Sequence, residues 1–141
     1  MKITKLEVAV WQLDAAIKLF LEGDYLSSLT LAGAAEEILG SLCKRAGKPV
    51  AVEQIAEFHW DDTDQALTDK ERKTVLLRVL NRGRNEAKHA NNPDETDFTV
   101  EQVYPLQMIM RAMPMARSLD SSPLREAEMV AWIKAHPEAT Q

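Results

Sequence analysis

Leu31-Ala32-Gly33-Ala34-Ala35-Glu36-Glu37-Ile38-Leu39 is the stretch on which the fold turns. Four small residues, Ala32 to Ala35, lie inside a helical pattern whose large apolar groups are Leu31, Ile38, Leu39 and Leu42. A small-residue patch lets a second helix approach closely, and two carboxylates follow it directly. The spacing predicts a helix from Tyr25 to about Ala46. Gly23-Asp24 provides the turn and N-cap before it, and Gly47 is a typical residue just past a helix end.

The pattern on either side is also helical. Before it, Leu6, Val10, Leu13, Ile17 and Phe20 form the stripe of a helix over about Thr4 to Leu21, and Thr4 and Glu7 have capping-box spacing. After it, a shorter helix is expected from Val52 to His59, broken by Trp60-Asp61-Asp62-Thr63-Asp64. That acidic run lacks the glycine and distant glutamate of a calcium loop and reads as a turn. Thr68-Asp69-Lys70-Glu71 is a second capping box. It opens a basic helix that buries Val75, Leu76, Val79 and Leu80 and runs on through Arg84 to His89, until Asn91-Asn92-Pro93-Asp94 ends it.

A further helix is expected from about Thr99 to Leu119, with Pro114 kinking or dividing it. Met108, Met110, Met113 and Met115 lie on it, at a spacing that suits a core; a protein-binding surface is the sharper alternative. Ser122-Pro123 is read as the cap and first residue of a last helix to about Ala135. His136, at its end, reads as a solvated residue without a partner. No stretch has the alternation of a strand, and no Asn-Gly or Asp-Gly hairpin signal occurs. The fold class is therefore all-α, with about five to six helices in a single domain over 1–141.

Bulk properties narrow the function classes. The chain has 141 residues, 45% of them hydrophobic and 28% charged, with a formal net charge of −5. No apolar stretch is long enough for a membrane span, and the N-terminus lacks a signal peptide's apolar block, so no membrane association and a cytoplasmic location are expected. Cys43 is the only cysteine, which excludes an internal disulfide; it reads as a small buried hydrophobe. No metal or cofactor motif is present, and none is expected.

Charge is unevenly distributed. Residues 69–90 hold seven basic groups against three acidic ones, an excess of four, so the rest of the chain carries an excess of nine negative charges. Within this run, Arg84-Asn85-Glu86-Ala87-Lys88-His89 combines the residue types that can cut RNA without a metal. A histidine moves protons near neutral pH, and an arginine holds phosphate and the charge that grows on it. On an ideal helix Arg84 and His89 stand about 140° and about 7.5 Å apart, whereas Asn85 and His89 share a face. Cleavage needs both a general acid and a general base. A two-fold dimer joining two copies of this helix end would supply them.

These residues resemble the HEPN superfamily, whose motif is an arginine and a histidine separated by four to six residues, with a polar residue after the arginine. The long first helix, the segment 31–39 and the later helix occur in the same order, over roughly residues 4–119. The resemblance implies an all-α up-and-down bundle of HEPN type, with a core bundle at about 4–119 and an extra helix at about 122–136, usually homodimeric, with a metal-independent endoribonuclease site between protomers. Arg84 would bind the scissile phosphate, His89 would act as acid or base, and Asn85 would position the pair. Lys88, Arg82 and Arg78 are the matching RNA- and phosphate-binding candidates. Members often act in toxin–antitoxin or defence systems beside a nucleotidyltransferase-type antitoxin. Others are noncatalytic modules for dimerisation or for nucleotide or protein binding. That second reading fits this chain too, because Lys88 and His89 near a helix C-terminus also complement its dipole. A DNA-binding helix module is the weakest reading, since the basic helix has no helix-turn-helix partner.

Overall fold

Capping chemistry sets where the first helices begin. In the computed structural model, which describes residues 1–140, Thr4 Oγ1 accepts from the Glu7 N–H at 3.1 Å and Glu7 Oε1 accepts from the Thr4 N–H at 3.2 Å. This closed box starts α1 (Lys5–Leu21). Asp24 Oδ1 accepts from the Ser27 N–H at 3.0 Å and starts α2 (Tyr25–Arg45). Gly47, at φ +66°, follows the end of α2 in the left-handed region that glycine adopts without strain.

The chain continues through α3 (Ala51–Phe58), a 3-10 turn at Trp60–Asp62, α4 (Asp69–Leu80), α5 (Arg82–Lys88), α6 (Val103–Ser118) and α7 (Glu126–Ala135). A 3-10 turn at Pro137–Thr140 comes last. The fold is an all-α bundle, and no described residue lies in a strand. No described helix is long and apolar enough to cross a membrane. Seven α-helices are present among the described residues, where the sequence pattern suggested five to six.

α2 occupies the middle of the bundle, with α1 along one side and α6 along another. Ala32, Gly33 and Ala35 of the small-residue patch are buried, as the close approach requires. The core also takes Leu13, Ile17 and Phe20 from α1, Leu39 and Cys43 from α2, and Leu106, Ile109 and Met113 from α6. The Ser28 hydroxyl donates to the Ala16 carbonyl at 2.7 Å, joining α2 to α1 inside that core. α7 lies against α1, where Trp132 packs edge-on to Phe20 with ring centres 4.7 Å apart. Met108, Met113 and Met115 fill the core and Met110 is exposed, so the methionine cluster is mainly packing.

Several boundaries differ from expectation, each for an identifiable reason. The basic helix is not continuous to His89. It breaks at Asn81, and α5 ends at Lys88, leaving His89 extended at φ −121° and ψ 145°. The break coincides with a grip from α6: Arg111 Nη1 donates to the Leu80 carbonyl at 3.1 Å, and Nη2 donates to Asn81 Oδ1 at 2.9 Å. Val79 and Val75 are not buried; Val79 is 66% exposed. The inner face of α4 is instead Leu76 with Arg72, which donates to Thr63 Oγ1 and the Trp60 carbonyl and lies over the Trp60 ring. One of the seven basic groups is thus a structural residue.

α6 begins at Val103, not Thr99. That start makes Pro105 the third helical residue, in the turn where a missing N–H costs nothing; a start at Thr99 would have buried it mid-helix. Pro114 does not divide α6, which runs unbroken past it. Both Pro114 and Met110, whose carbonyl the proline leaves unpaired, face outward, so that carbonyl is not stranded in the core. α7 begins at Glu126 rather than at Pro123. Pro123 forms a turn, its carbonyl accepting from the Glu126 N–H at 3.2 Å, and the Arg125 N–H donates to Asp14 Oδ1 of α1 at 2.8 Å. His136 is half-buried and has partners: its ring stacks on Trp132, and Nδ1 meets the Trp132 carbonyl at 2.8 Å.

Candidate functional site

Gly33 explains how Arg84 reaches its position. A Cβ built on Gly33 would come within 2.7 Å of both Cγ and Cδ of Arg84, so the arginine stem lies directly over the glycine. A second glycine does the same one residue earlier. A Cβ on Gly83 would meet the Tyr104 ring at 2.7 Å, which seats α5 against α6. Between them, the two glycines let a seven-residue helix sit deep enough to send Arg84 inward.

The inward guanidinium ends on a carboxylate. Arg84 Nη1 donates to Glu36 Oε2 at 3.0 Å, and Arg111 Nη2 donates to Glu36 Oε1 at 2.7 Å. Glu36 is 3% exposed and Arg111 6%. One carboxylate therefore lies between two guanidiniums, which leaves one positive charge without a partner in that cluster. The Nε atoms of both arginines are buried and make no hydrogen bond among the described residues. Breaking such a pair by removing one member typically costs about 3–5 kcal/mol, because a buried charge is left exposed to a poor solvent.

The remaining motif residues lie outside this cluster. His89 is exposed, and its ring makes no hydrogen bond or ion pair among the described residues; only its backbone N–H is bound, to the Asn85 carbonyl at 3.1 Å. Because His89 has left the helix, the shared face expected for Asn85 and His89 ends with Lys88. Arg82 Nε donates to Glu86 Oε1 at 2.9 Å, and that bond and the glutamate charge raise the arginine's pKa. Lys88 Nζ stands 4.0 Å from Glu37 Oε2, and Arg78 is exposed. The structure thus joins Arg84 to α2 and α6, and presents His89 at the outer end of α5.

Glu36, Arg111, Gly33 and Asn81 were not assigned to the site from the sequence. Arg111 carried a usable signal, as a lone charge between Met108, Ile109 and Met110 on one side and Ala112 and Met113 on the other. Such a residue is either exposed or paired. Glu36 carried a weaker one, following directly on the small-residue patch. His59 Nδ1 lies 3.0 Å from Asp62 Oδ2 beside the acidic turn. Among the described residues, no group of three or more His, Cys, Asp or Glu side chains is placed to hold a metal ion. Comparison with known proteins gives no match: no protein family, no curated protein and no solved structure is significantly similar to this chain.

Proposed function

We propose that this protein is a HEPN-like, metal-independent endoribonuclease of toxin–antitoxin or defence type, acting as a two-fold homodimer in the cytoplasm. The observation that supports this reading is the Glu36 clamp. It fixes the guanidinium of Arg84 and adds Arg111 behind it, leaving one uncompensated positive charge under the short helix that His89 follows. A phosphate is a natural partner for that charge.

In this mechanism His89 of one protomer takes the proton of an RNA 2′-hydroxyl. The freed 2′-oxygen attacks the adjacent phosphorus, and the bond to the 5′-oxygen breaks. That oxygen takes a proton from His89 of the other protomer. Arg84 holds the phosphate while negative charge grows on it, and Asn85 helps place His89 through its carbonyl, which accepts from the His89 N–H. The products are a 2′,3′-cyclic phosphate and a free 5′-hydroxyl. Lys88, Arg82 and Arg78 guide the flanking strand, and a nucleotidyltransferase-type antitoxin is the proposed partner.

The deciding experiment is RNA cleavage by purified protein in excess EDTA, comparing the native chain with His89→Ala. His89 is exposed and its ring makes no hydrogen bond or ion pair among the described residues, so its replacement is expected to leave the fold intact. Cleavage with cyclic-phosphate ends, abolished in His89→Ala, supports the reading; equal activity in both proteins rejects it.

One observation favours a second reading, a noncatalytic module for dimerisation or for nucleotide or protein binding. The Arg84 side chain is only 15% exposed, Arg82 is committed to Glu86, and Lys88 faces Glu37. In that reading the clamp is purely structural, and RNA is neither cut nor bound.

A further inference from the structure

Phe58 is the last residue of α3, and it stands out from the surface at 83% exposure. Its ring meets the His59 ring edge-on, with centres 5.0 Å apart, and His59 Nδ1 lies 3.0 Å from Asp62 Oδ2. The aromatic knob is thus braced from its own side in an outward position. A braced side chain has less freedom to lose when a partner covers it.

α3 packs on α6, and a hollow of about 800 Å³ opens beside that contact, with Phe58 on its rim. Its lining includes Ile55, Leu106, Pro114 and the 38% exposed Met110. The chain has 22 acidic residues, yet none of the described residues lining the hollow is acidic. The two ionisable ones, Arg111 and His59, already meet Glu36 and Asp62. This face therefore offers no unpaired charge to a small ion. It also has none to repel a second copy of a chain whose net charge is −5. Few charges, with an exposed aromatic and a methionine, make the composition found at the centre of a protein interface.

One occupant accounts for knob and hollow together. A small molecule in the hollow leaves the outer side of Phe58 in water. A two-fold axis pairs the two features, because residue i of one copy then meets residue j of the other, and j meets i. We propose that this face is the interface of a two-fold homodimer, in which Phe58 of each copy enters the hollow of the other. Each phenyl group buries about 150–250 Å². The pair thus anchors the interface and supplies a substantial part of the about 1,600 Å² of a standard one. This interface lies away from His89 and uses none of the residues assigned to cleavage, so it goes beyond the ribonuclease reading.

The test is analytical sedimentation of the full chain over about 1–100 µM, where the native protein should be dimeric at the upper end. In a two-fold interface every substitution is present twice, so its effect on the dimer Kd is squared. Phe58→Ala should weaken association about a hundred-fold, about ten-fold for each ring. Met110→Glu, which puts a charge into each hollow, should weaken it at least as much as one lost ring, about ten-fold. Both positions are exposed, so both variants should keep the native circular dichroism. Mixing the two variants should then give a dimer at least about ten-fold tighter than either variant forms alone. In the mixed dimer, Phe58 of the Met110→Glu copy enters the unaltered hollow of the Phe58→Ala copy. A native chain that stays monomeric at about 100 µM overturns the proposal. If that monomer takes up the neutral dye Nile red and Met110→Glu abolishes the uptake, the hollow belongs to a small apolar molecule instead. A native dimer that neither substitution weakens overturns it too, since the copies then meet elsewhere, and so does a mixture no tighter than its components. RNA cleavage by the native chain decides the ribonuclease reading separately.

Discussion

Arg82 and Arg84 stand two residues apart on the same short helix and meet opposite surroundings. Arg82 lies on the outer face of α5 and pairs with Glu86, one turn further along the same helix. Arg84 lies on the inner face, over Gly33, and pairs with a carboxylate 48 positions earlier in the chain. The outer pair is local and solvated, and pairs of that kind contribute little to stability. With Arg111 added, the inner cluster joins three helices in a desolvated place, where losing one member typically costs about 3–5 kcal/mol. A count of basic residues treats the two arginines alike, although one is paired in solvent and the other in the protein interior.

Substitutions can break this contrast directly. Glu36→Gln should have the largest effect, lowering unfolding free energy in urea by about 3–5 kcal/mol, since two guanidiniums lose their shared carboxylate. A loss below about 1 kcal/mol would mean that the inner cluster is as solvated as the outer one. Gly33→Ala comes next, at about 1–3 kcal/mol, because the new methyl group meets the Arg84 stem. The same substitution in an Arg84→Ala background should cost clearly less, and a double-mutant cycle measures the difference. Additive costs would show that the glycine serves something other than Arg84.

The outer face should respond weakly. Arg82→Ala or Glu86→Ala is expected to leave the urea unfolding midpoint essentially unchanged, with any small shift vanishing in high salt. His89→Ala should be neutral within about 0.5 kcal/mol, so that any effect on RNA cleavage reads chemistry alone.

The smallest effect concerns pH. Glu71 closes the second capping box, and the Thr68 backbone N–H, followed by the Thr68 hydroxyl, lowers its pKa. A lowered folded-state pKa means stability that is present above the unfolded value and lost as pH falls through the folded one. The first turn of α4 should therefore loosen only in acid, below the ordinary glutamate range. Amide exchange in residues 69–72 should accelerate there in the native chain, and Glu71→Gln should remove that pH dependence.

What could be read from the sequence follows the same division between local and distant partners. α1 and α2 begin and end where expected because their signals, Thr4 with Glu7, Asp24 and Gly47, act within a few residues. The buried small-residue patch was equally legible. The breaks at Asn81 and before Glu126 were not, because their partners come from far along the chain: Arg111 grips Leu80 and Asn81, and Asp14 receives the Arg125 N–H. The start of α6 lay within reach, since Pro105 tolerates only an early helical position. Of the motif, composition marked Arg84 and His89 but gave no sign that one faces inward and the other outward. That difference depends on Gly33, Gly83 and Glu36, whose roles appear only when three helices are brought together.

The contact between Gly33 and Arg84 also bears on how the chain can change over time. A side chain at position 33 carries a stability cost as long as Arg84 lies over it, and a small residue at 84 leaves Glu36 to Arg111 alone. The order of substitution is therefore biased, with position 84 changing more readily before position 33 than after it. Among descendants of this sequence, glycine at 33 and arginine at 84 should tend to be kept or lost together.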